Sequence, residues 1–301
     1  MNLPLPGFLK GNGNRRTGGY GDNPGKLPPL GHDGPRTLMA IMAHPDDIDF
    51  GSSGSVAKWC AEGWTVYYVL VTSGDKGTHD AAMGPQQLAA MREEEQRAAA
   101  RALGVKEVFF LGYPDGWVVP THELRGEIVR LFRTYKPEIV LTWDGFRTSF
   151  NHVDHRNVGI AVRDAVFPAT RDHLYYPEHS AEGLAPEHRV NEMLLVGSDK
   201  PDYFVDVSDY LEQKADAILS HASQVQSHDR DELLKRMRTQ GRRRGGRGTV
   251  ESFRRVVISR SQRSVQAEKA SQAAAGANGS QAQLPATEGS DTEATPVGAG
   301  T

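Results

Sequence analysis

The sequence predicts an α/β fold: a Rossmann-like, mostly parallel sheet with helices on both faces, in a single domain with disordered ends. Three observations predict it. Short β-branched or aromatic runs alternate with helical patterns, the signature of βαβ units. The first run, Leu38-Met39-Ala40-Ile41-Met42-Ala43, is apolar without a break, as a strand covered on both faces must be. The two ends of the chain lack any such pattern.

Taken in order, residues 37–43 read as a buried strand. Residues 53–62 read as a helix, with small and apolar residues spaced three and four apart. Residues 65–72 (Thr-Val-Tyr-Tyr-Val-Leu-Val-Thr) form a β-branched and aromatic strand. Residues 85–103 form a long helix: Pro85 suits its first turn, Leu88, Met91 and the alanines share a face, and Gly104 closes it. A third strand covers 107–111, a helix 123–135 and a fourth strand 138–143. A helix over 154–166 opens on an acidic residue, as the dipole favours. After a looser segment comes a short strand at 203–207. A helix then runs toward Gln226 with Ser208 or Asp209 as its N-cap.

These elements define four stretches: an irregular N-terminal arm (1–35), an α/β domain (36–228), a basic C-terminal extension (229–265) and a disordered tail (266–301). The arm is rich in Gly, Pro and Asn, and the tail lacks the aromatics needed to offset the entropy of ordering. The extension reads either as an appended helix and strand or as a flexible segment.

The chain has 301 residues, 38% of them hydrophobic, enough to bury a sizeable core. Its single cysteine, Cys60, excludes an intrachain disulfide and fits a reducing compartment. No run reaches the roughly 18 apolar residues of a membrane span. The first residues do not read as a signal peptide, so the expected location is cytoplasmic. The net charge of −3 is uninformative, but eleven Lys or Arg and one acid, Glu251, fall between Lys235 and Arg263. Such a run is more often a solvated surface or a partner interface than a nucleic-acid contact, so nucleic acid is disfavoured as a partner.

The chemistry-bearing residues form two clusters. His44-Pro45-Asp46-Asp47 stands where the first strand ends, and His152-Val153-Asp154-His155 follows shortly after the fourth. Side chains at the carboxyl ends of buried strands project into the crevice where open α/β sheets do their chemistry. A zinc hydrolase needs three protein ligands and one open position. His44 and Asp47 share a tight turn, and His155 can supply the third ligand from the neighbouring strand end. Asp46 is then placed as a general base. His152, one turn before His155, can protonate a leaving amine or steady an oxyanion, while Asp154 can fix the tautomer of one imidazole. An Asp-Asp pair after a strand also serves as a simple helix cap, but capping does not account for three histidines. Gly51-Ser52-Ser53-Gly54-Ser55 lacks the lysine of a P-loop. Its small residues read as close packing of helix on sheet rather than as a phosphate cradle.

The segment Met42-Ala43-His44-Pro45-Asp46-Asp47 resembles the signature of the PIG-L/LmbE-like zinc N-deacetylases, which act on N-acetylglucosaminyl compounds. Further resemblances follow in order: Thr72-Ser73-Gly74-Asp75-Lys76-Gly77, Arg92-Glu93-Glu94-Glu95, Leu111-Gly112-Tyr113-Pro114-Asp115-Gly116, the His152–His155 motif, and Lys214…Ala217…His221-Ala222-Ser223-Gln224. They cover about residues 36–228. The resemblance implies zinc on His44, Asp47 and His155, Asp46 as base, His152 as oxyanion or leaving-group partner, and Arg92 and Asp115 toward the substrate. Ferrous iron suits the same donor set. Members occur as monomers and hexamers, so a homo-oligomer is compatible. Many members carry Pro where this chain has Val153, with the histidine spacing unchanged. The implied reaction is zinc-dependent removal of an acetyl group from an N-acetylated amino sugar or its conjugate. The competing readings are a thiol-conjugate amidase using the same site, and a non-catalytic protein that binds an acidic partner through residues 235–263.

Overall fold

The computed structural model describes residues 36–184, 188–225, 229–243 and 248–258. The expected N-terminal arm, the tail and residues 244–247 of the arginine run lie outside the described residues. In chain order the elements are β1 (Thr37–Met42), α1 (Asp47–Ala61), β2 (Thr65–Thr72), α2 (Pro85–Leu103), β3 (Glu107–Tyr113), α3 (His122–Tyr135) and β4 (Ile139–Trp143). There follow α4 (Val153–Asp164), α5 (Pro177–Ala181), β5 (Glu192–Val196), β6 (Tyr203–Asp206), α6 (Leu211–Leu219), α7 (Arg230–Arg243) and β7 (Val250–Val257).

The strands form one seven-stranded sheet in the order β3-β2-β1-β4-β5-β7-β6. The run from β3 to β5 is parallel, and β7 lies antiparallel to both its neighbours. The sheet is therefore mixed but mostly parallel, as expected. Both faces are covered, and β1 shows how. Leu38, Ala40 and Met42 enter the core shared with α1, α2 and α6, while Met39, Ile41 and Ala43 enter the core shared with α3 and α4. Every one of the six is fully buried. Each larger side chain so placed contributes about 1.5–3 kcal/mol relative to exposure. Strand order reverses at β1, whose neighbours are β2 and β4. That is where an open α/β sheet leaves a crevice at its carboxyl ends.

Several boundaries differ from expectation, each for a physical reason. Helix α1 starts at Asp47 rather than at residue 53, because Asp46 (φ 97°) turns the chain straight from the strand into the helix. Asp47 and Asp49 then occupy its first turn, where the dipole favours carboxylates. Gly51 to Ser55 consequently lie inside the helix and cradle nothing at its start. A Cβ on Gly51 would stand 3.0 Å from Val196 Cγ1 and one on Gly54 2.9 Å from Val207 Cβ, so the glycines permit close packing. The last long helix is shorter than expected. A 3-10 turn (Ser208–Tyr210) precedes α6, whose cap is Tyr210 rather than Ser208 or Asp209. The looser segment contains β5, and the basic stretch supplies α7 and β7.

Strand β7 is wedged between β5 and β6, and it grips α1. Glu251 is buried, and its carboxylate accepts the N–H groups of Gly54 (3.0 Å) and Ser55 (2.7 Å) and pairs with Lys214 Nζ at 2.5 Å. Lys214, on α6, also donates to the Phe50 carbonyl at 3.2 Å.

Candidate active site

Two loops bring the clusters together. The register that sets Ala40 opposite Leu141 carries Trp143, at the end of β4, level with the end of β1. His44 to Asp46 follow β1. His152 caps α4, its Nδ1 accepting the Asp154 N–H at 3.2 Å, and so throws Asp154 and His155 into the first turn.

His44 Nδ1 lies 3.2 Å from His155 Nε2 and 3.5 Å from Asp47 Oδ2, and His155 Nε2 lies 3.1 Å from Asp47 Oδ1. Tetrahedral zinc with bonds of about 2.0–2.1 Å holds its donors about 3.3 Å apart. His44, Asp47 and His155 therefore stand at separations that suit one divalent-metal site, with a different Asp47 oxygen, Oδ2 or Oδ1, toward each imidazole. His152 stands at the edge of the same space, its ring 4.9 Å from that of His44 and 5.1 Å from that of His155. His44, His152 and His155 also bring nitrogen atoms within 4.8 Å of one another.

The other face of His44 is occupied by carboxylates. Its Nε2 lies 3.0 Å from Asp115 Oδ1 and 3.1 Å from Asp154 Oδ2. Asp154 is fully buried and accepts the N–H groups of Gly116 (2.6 Å) and Val118 (3.1 Å). Asp115 accepts the Lys76 N–H at 3.1 Å. This second trio could also hold a cation by proximity. All three of its residues are buried, whereas the first group opens toward His152, which is exposed. With Asp154 and Asp115 on Nε2, His44 keeps a proton there, which leaves Nδ1, facing His155 and Asp47, as the nitrogen that a metal would take in exchange for a proton.

Asp47 is fixed from behind. Its Oδ2 accepts the N–H groups of Ala43 (3.1 Å) and His44 (2.9 Å) and the indole Nε1–H of Trp143 (3.1 Å). The Trp143 ring stacks on His155 at 4.1 Å, so Trp143 walls the site. Trp117, by contrast, is 74% exposed. Asp46 makes no hydrogen bond to the triangle and is held by Arg92 instead. Its Oδ2 meets Arg92 Nη2 at 3.2 Å, and the same nitrogen donates to the Pro45 carbonyl at 2.6 Å while Nη1 donates to Gly74 at 2.9 Å. Gly74 (φ 65°) and Gly77 lie directly over the guanidinium: a Cβ on either would come within 2.5 Å of Arg92 Nη1. The glycine loop is thus a lid for Arg92, and that side chain is spent on the turn that carries Asp46.

The charges follow this arrangement. Burial alone would push His44 down, but hydrogen bonds to Asp115, Asp154 and Asp47 outweigh it and hold the imidazole well above its ordinary value. Burial opposes ionisation of Asp47, yet the charge and hydrogen bond of His155 keep its carboxyl well below the usual range. Burial pushes the Asp46 carboxyl up to about 6, against the pull of Arg92. Asp115 sits at about 2, because its bond to His44 overcomes its burial. Burial, helped by the charges of His44 and His155, pushes His152 down.

All eight residues singled out from the sequence thus converge: five around His44, and Asp46 with Arg92 alongside. The sequence did not single out Gln96, which accepts the Asp46 N–H at 3.0 Å. It lies four residues after Arg92 on one helix, and that spacing was the available signal.

A donor triangle beside a separately held carboxylate, at the switch point of an α/β sheet, is the equipment of a metal-dependent hydrolase. Residues 39–166 match the sequence profile of PIG-L, the GlcNAc-PI de-N-acetylase family. The chain is 36% identical over 189 residues to the diacetylchitobiose deacetylase of Thermococcus kodakarensis, covering 63% of this chain and 70% of that protein. It is 28% identical over 231 residues to the 1D-myo-inositol 2-acetamido-2-deoxy-α-D-glucopyranoside deacetylase of Actinosynnema mirum, covering 64% and 81%. The solved N,N'-diacetylchitobiose deacetylase of Pyrococcus horikoshii, in complex with an inhibitor, superposes with a TM-score of 0.68 at 29% identity, covering 74% of this chain and 84% of that one. The chain belongs to the PIG-L family. Among the described residues no helix is long and apolar enough to cross a membrane.

Proposed function

We propose that the protein hydrolyses the acetamide of an N-acetylated amino sugar or its conjugate, giving acetate and the free amine, with a divalent cation held by His44, Asp47 and His155. The observation that carries this reading is the spacing of those three donors, 3.1 to 3.5 Å, beside a carboxylate they do not use. Zinc is the first candidate and ferrous iron suits the same donors. When bound, such an ion supplies Lewis acidity toward the amide carbonyl and toward water.

The chain's own residues supply the rest. Asp46, with its carboxyl at about 6, is ionised at neutral pH and still basic enough to take a proton from the attacking water. His152 accepts the Asp154 amide on Nδ1, so its Nε2 carries the proton and can donate to the developing oxyanion or to the departing nitrogen. Asp154 and Asp115 hold the tautomer of His44. Arg92 acts in this reading by holding the Asp46 turn.

The test is acetate release from N-acetylglucosamine, N,N'-diacetylchitobiose and an N-acetylglucosaminyl-inositol, together with metal analysis of the purified protein. The expected result is about one ion per chain and turnover of at least one substrate, with Asp46→Asn keeping the metal and losing about 10²–10⁴-fold in kcat. Full turnover by Asp46→Asn would refute the assigned base. No acetate release by the metal-loaded wild type from any of the three would refute the reaction.

A further inference from the structure

The backbone of Asp46 is held by a buried polar chain that the mechanism above does not use. At φ 97° Asp46 occupies a conformation that residues with a Cβ rarely adopt. The N–H exposed by this turn goes to Gln96 Oε1 at 3.0 Å. A carboxamide can face either way, and only its oxygen can accept that hydrogen. Here the orientation is dictated from behind: Gln96 Nε2 donates to Asp49 Oδ2 at 2.7 Å. The same oxygen accepts His221 Nε2–H at 2.8 Å. Gln96, Asp49 and His221 are all fully buried, and they come from α2, α1 and the turn after α6.

Resting on the assignment of Asp46 as the base, we propose that Gln96, Asp49 and His221 are positioning residues that hold the Asp46 backbone in its left-handed turn and so aim its carboxylate. None of them contacts the donor triangle. Asp49 sets the direction of the Gln96 amide, and His221 sets the rotamer of Asp49. Arg92, one turn earlier on α2, grips the same turn through the Pro45 carbonyl and the Asp46 carboxylate. Anchors on the Asp46 N–H, the Pro45 carbonyl and the carboxylate itself leave the Asp46 side chain little freedom to swing out of line.

The experiment compares Gln96→Leu, His221→Leu and His221→Gln with the wild type, all loaded with zinc. It reads metal content, kcat, KM and the hydrogen-exchange rate of the Asp46 amide by NMR. Gln96→Leu should keep the metal and hold KM within about twofold, while kcat falls about 10–100-fold, the scale of a small misplacement of a reacting group. The Asp46 amide should exchange faster. His221→Leu should show a smaller loss, and His221→Gln, whose amide still donates to Asp49, should recover most of it. Packing alone would not produce that rescue.

The proposal is overturned if kcat in Gln96→Leu stays within about threefold of wild type. It is equally overturned if activity falls only in step with metal content, or if exchange at Asp46 is unchanged. Should the wild type prove inactive toward every acetamide, the proposed reaction fails by itself. The exchange rate at Asp46 in Gln96→Leu then still decides whether the chain holds the turn.

Discussion

Removing the Glu251 carboxylate should destabilise the whole domain, although the residue lies far along the chain from the site. Glu251 is 6% exposed and faces the Lys214 ammonium at 2.5 Å, while two N–H groups of α1 point at its oxygens. In Glu251→Leu the ammonium is left inside with no counter-charge, and breaking a buried pair from one side costs about 3–5 kcal/mol. In a domain of this size each kcal/mol shifts Tm by about 2–4 °C, so a fall of about 6–20 °C is expected. The assay is urea unfolding of the chelator-treated protein followed by tryptophan fluorescence, with equal m-values confirming that the same transition is compared. The double variant Glu251→Leu/Lys214→Met removes both charges and should recover about half of the loss or more, since a well-packed apolar pair often replaces an ion pair without penalty. A single-variant loss below about 1 kcal/mol, or a double variant as unstable as the two losses summed, would refute the reasoning.

Two other outcomes follow from geometry already described. Trp143→Phe keeps a ring against His155 but takes one donor from Asp47 Oδ2, so zinc affinity should fall about 10-fold or more in chelator competition; an unchanged affinity would remove Trp143 from the support of the ligand. His179 is buried, and burial together with the charges of Arg130 and Arg133 pushes its imidazole down, with Glu178 and Glu182 opposing. The unfolded chain takes up a proton near the ordinary histidine value and folded His179 only at lower pH, so in that window the unfolded state binds more protons and stability is lost as the pH drops. His179→Asn preserves an acceptor for Arg133 at the Nδ1 position. It should flatten the decline in Tm between about pH 7 and pH 5 in chelator, and an equal decline would discard His179 as the cause.

The parallel part of the sheet was legible because its physics is local. β2 and α2 begin and end where the residues say they should: a β-branched run for one, Pro85 and Gly104 at the ends of the other. The site was legible for a related reason. Metal-binding and acid-base chemistry draws on few residue types, and two histidine-aspartate clusters at adjacent strand ends have little else to do. The start of α1 was hidden because its signal is a strained backbone angle at Asp46, enforced by Gln96 and Arg92 from a helix that lies elsewhere in the sequence.

The C-terminal extension stayed open between an appended helix and strand, which the structure has, and a flexible segment, because the pattern of its strand misleads. In β7 the inward positions are Glu251, Phe253 and Arg255, two charged residues of three, and alternation of that kind reads as a solvated segment. Charges turn inward only when partners wait for them, and both partners belong to other elements: Lys214 on α6 for Glu251, and Glu192 on β5, 2.5 Å away, for Arg255. Glu192 in turn opens β5 on a charge and leaves it an apolar run of only four residues, Met193 to Val196. The same pairing that concealed two strands also explains part of the basic run: Arg255 answers an acid within the fold, so it is not available to an outside partner. Cutting the chain before α7 to test nucleic-acid binding would therefore remove the strand between β5 and β6 and the carboxylate that grips α1. Lost binding after such a cut would report a broken sheet, whereas neutralising Arg236 and Arg238 on the surface of α7 leaves every contact of β7 in place.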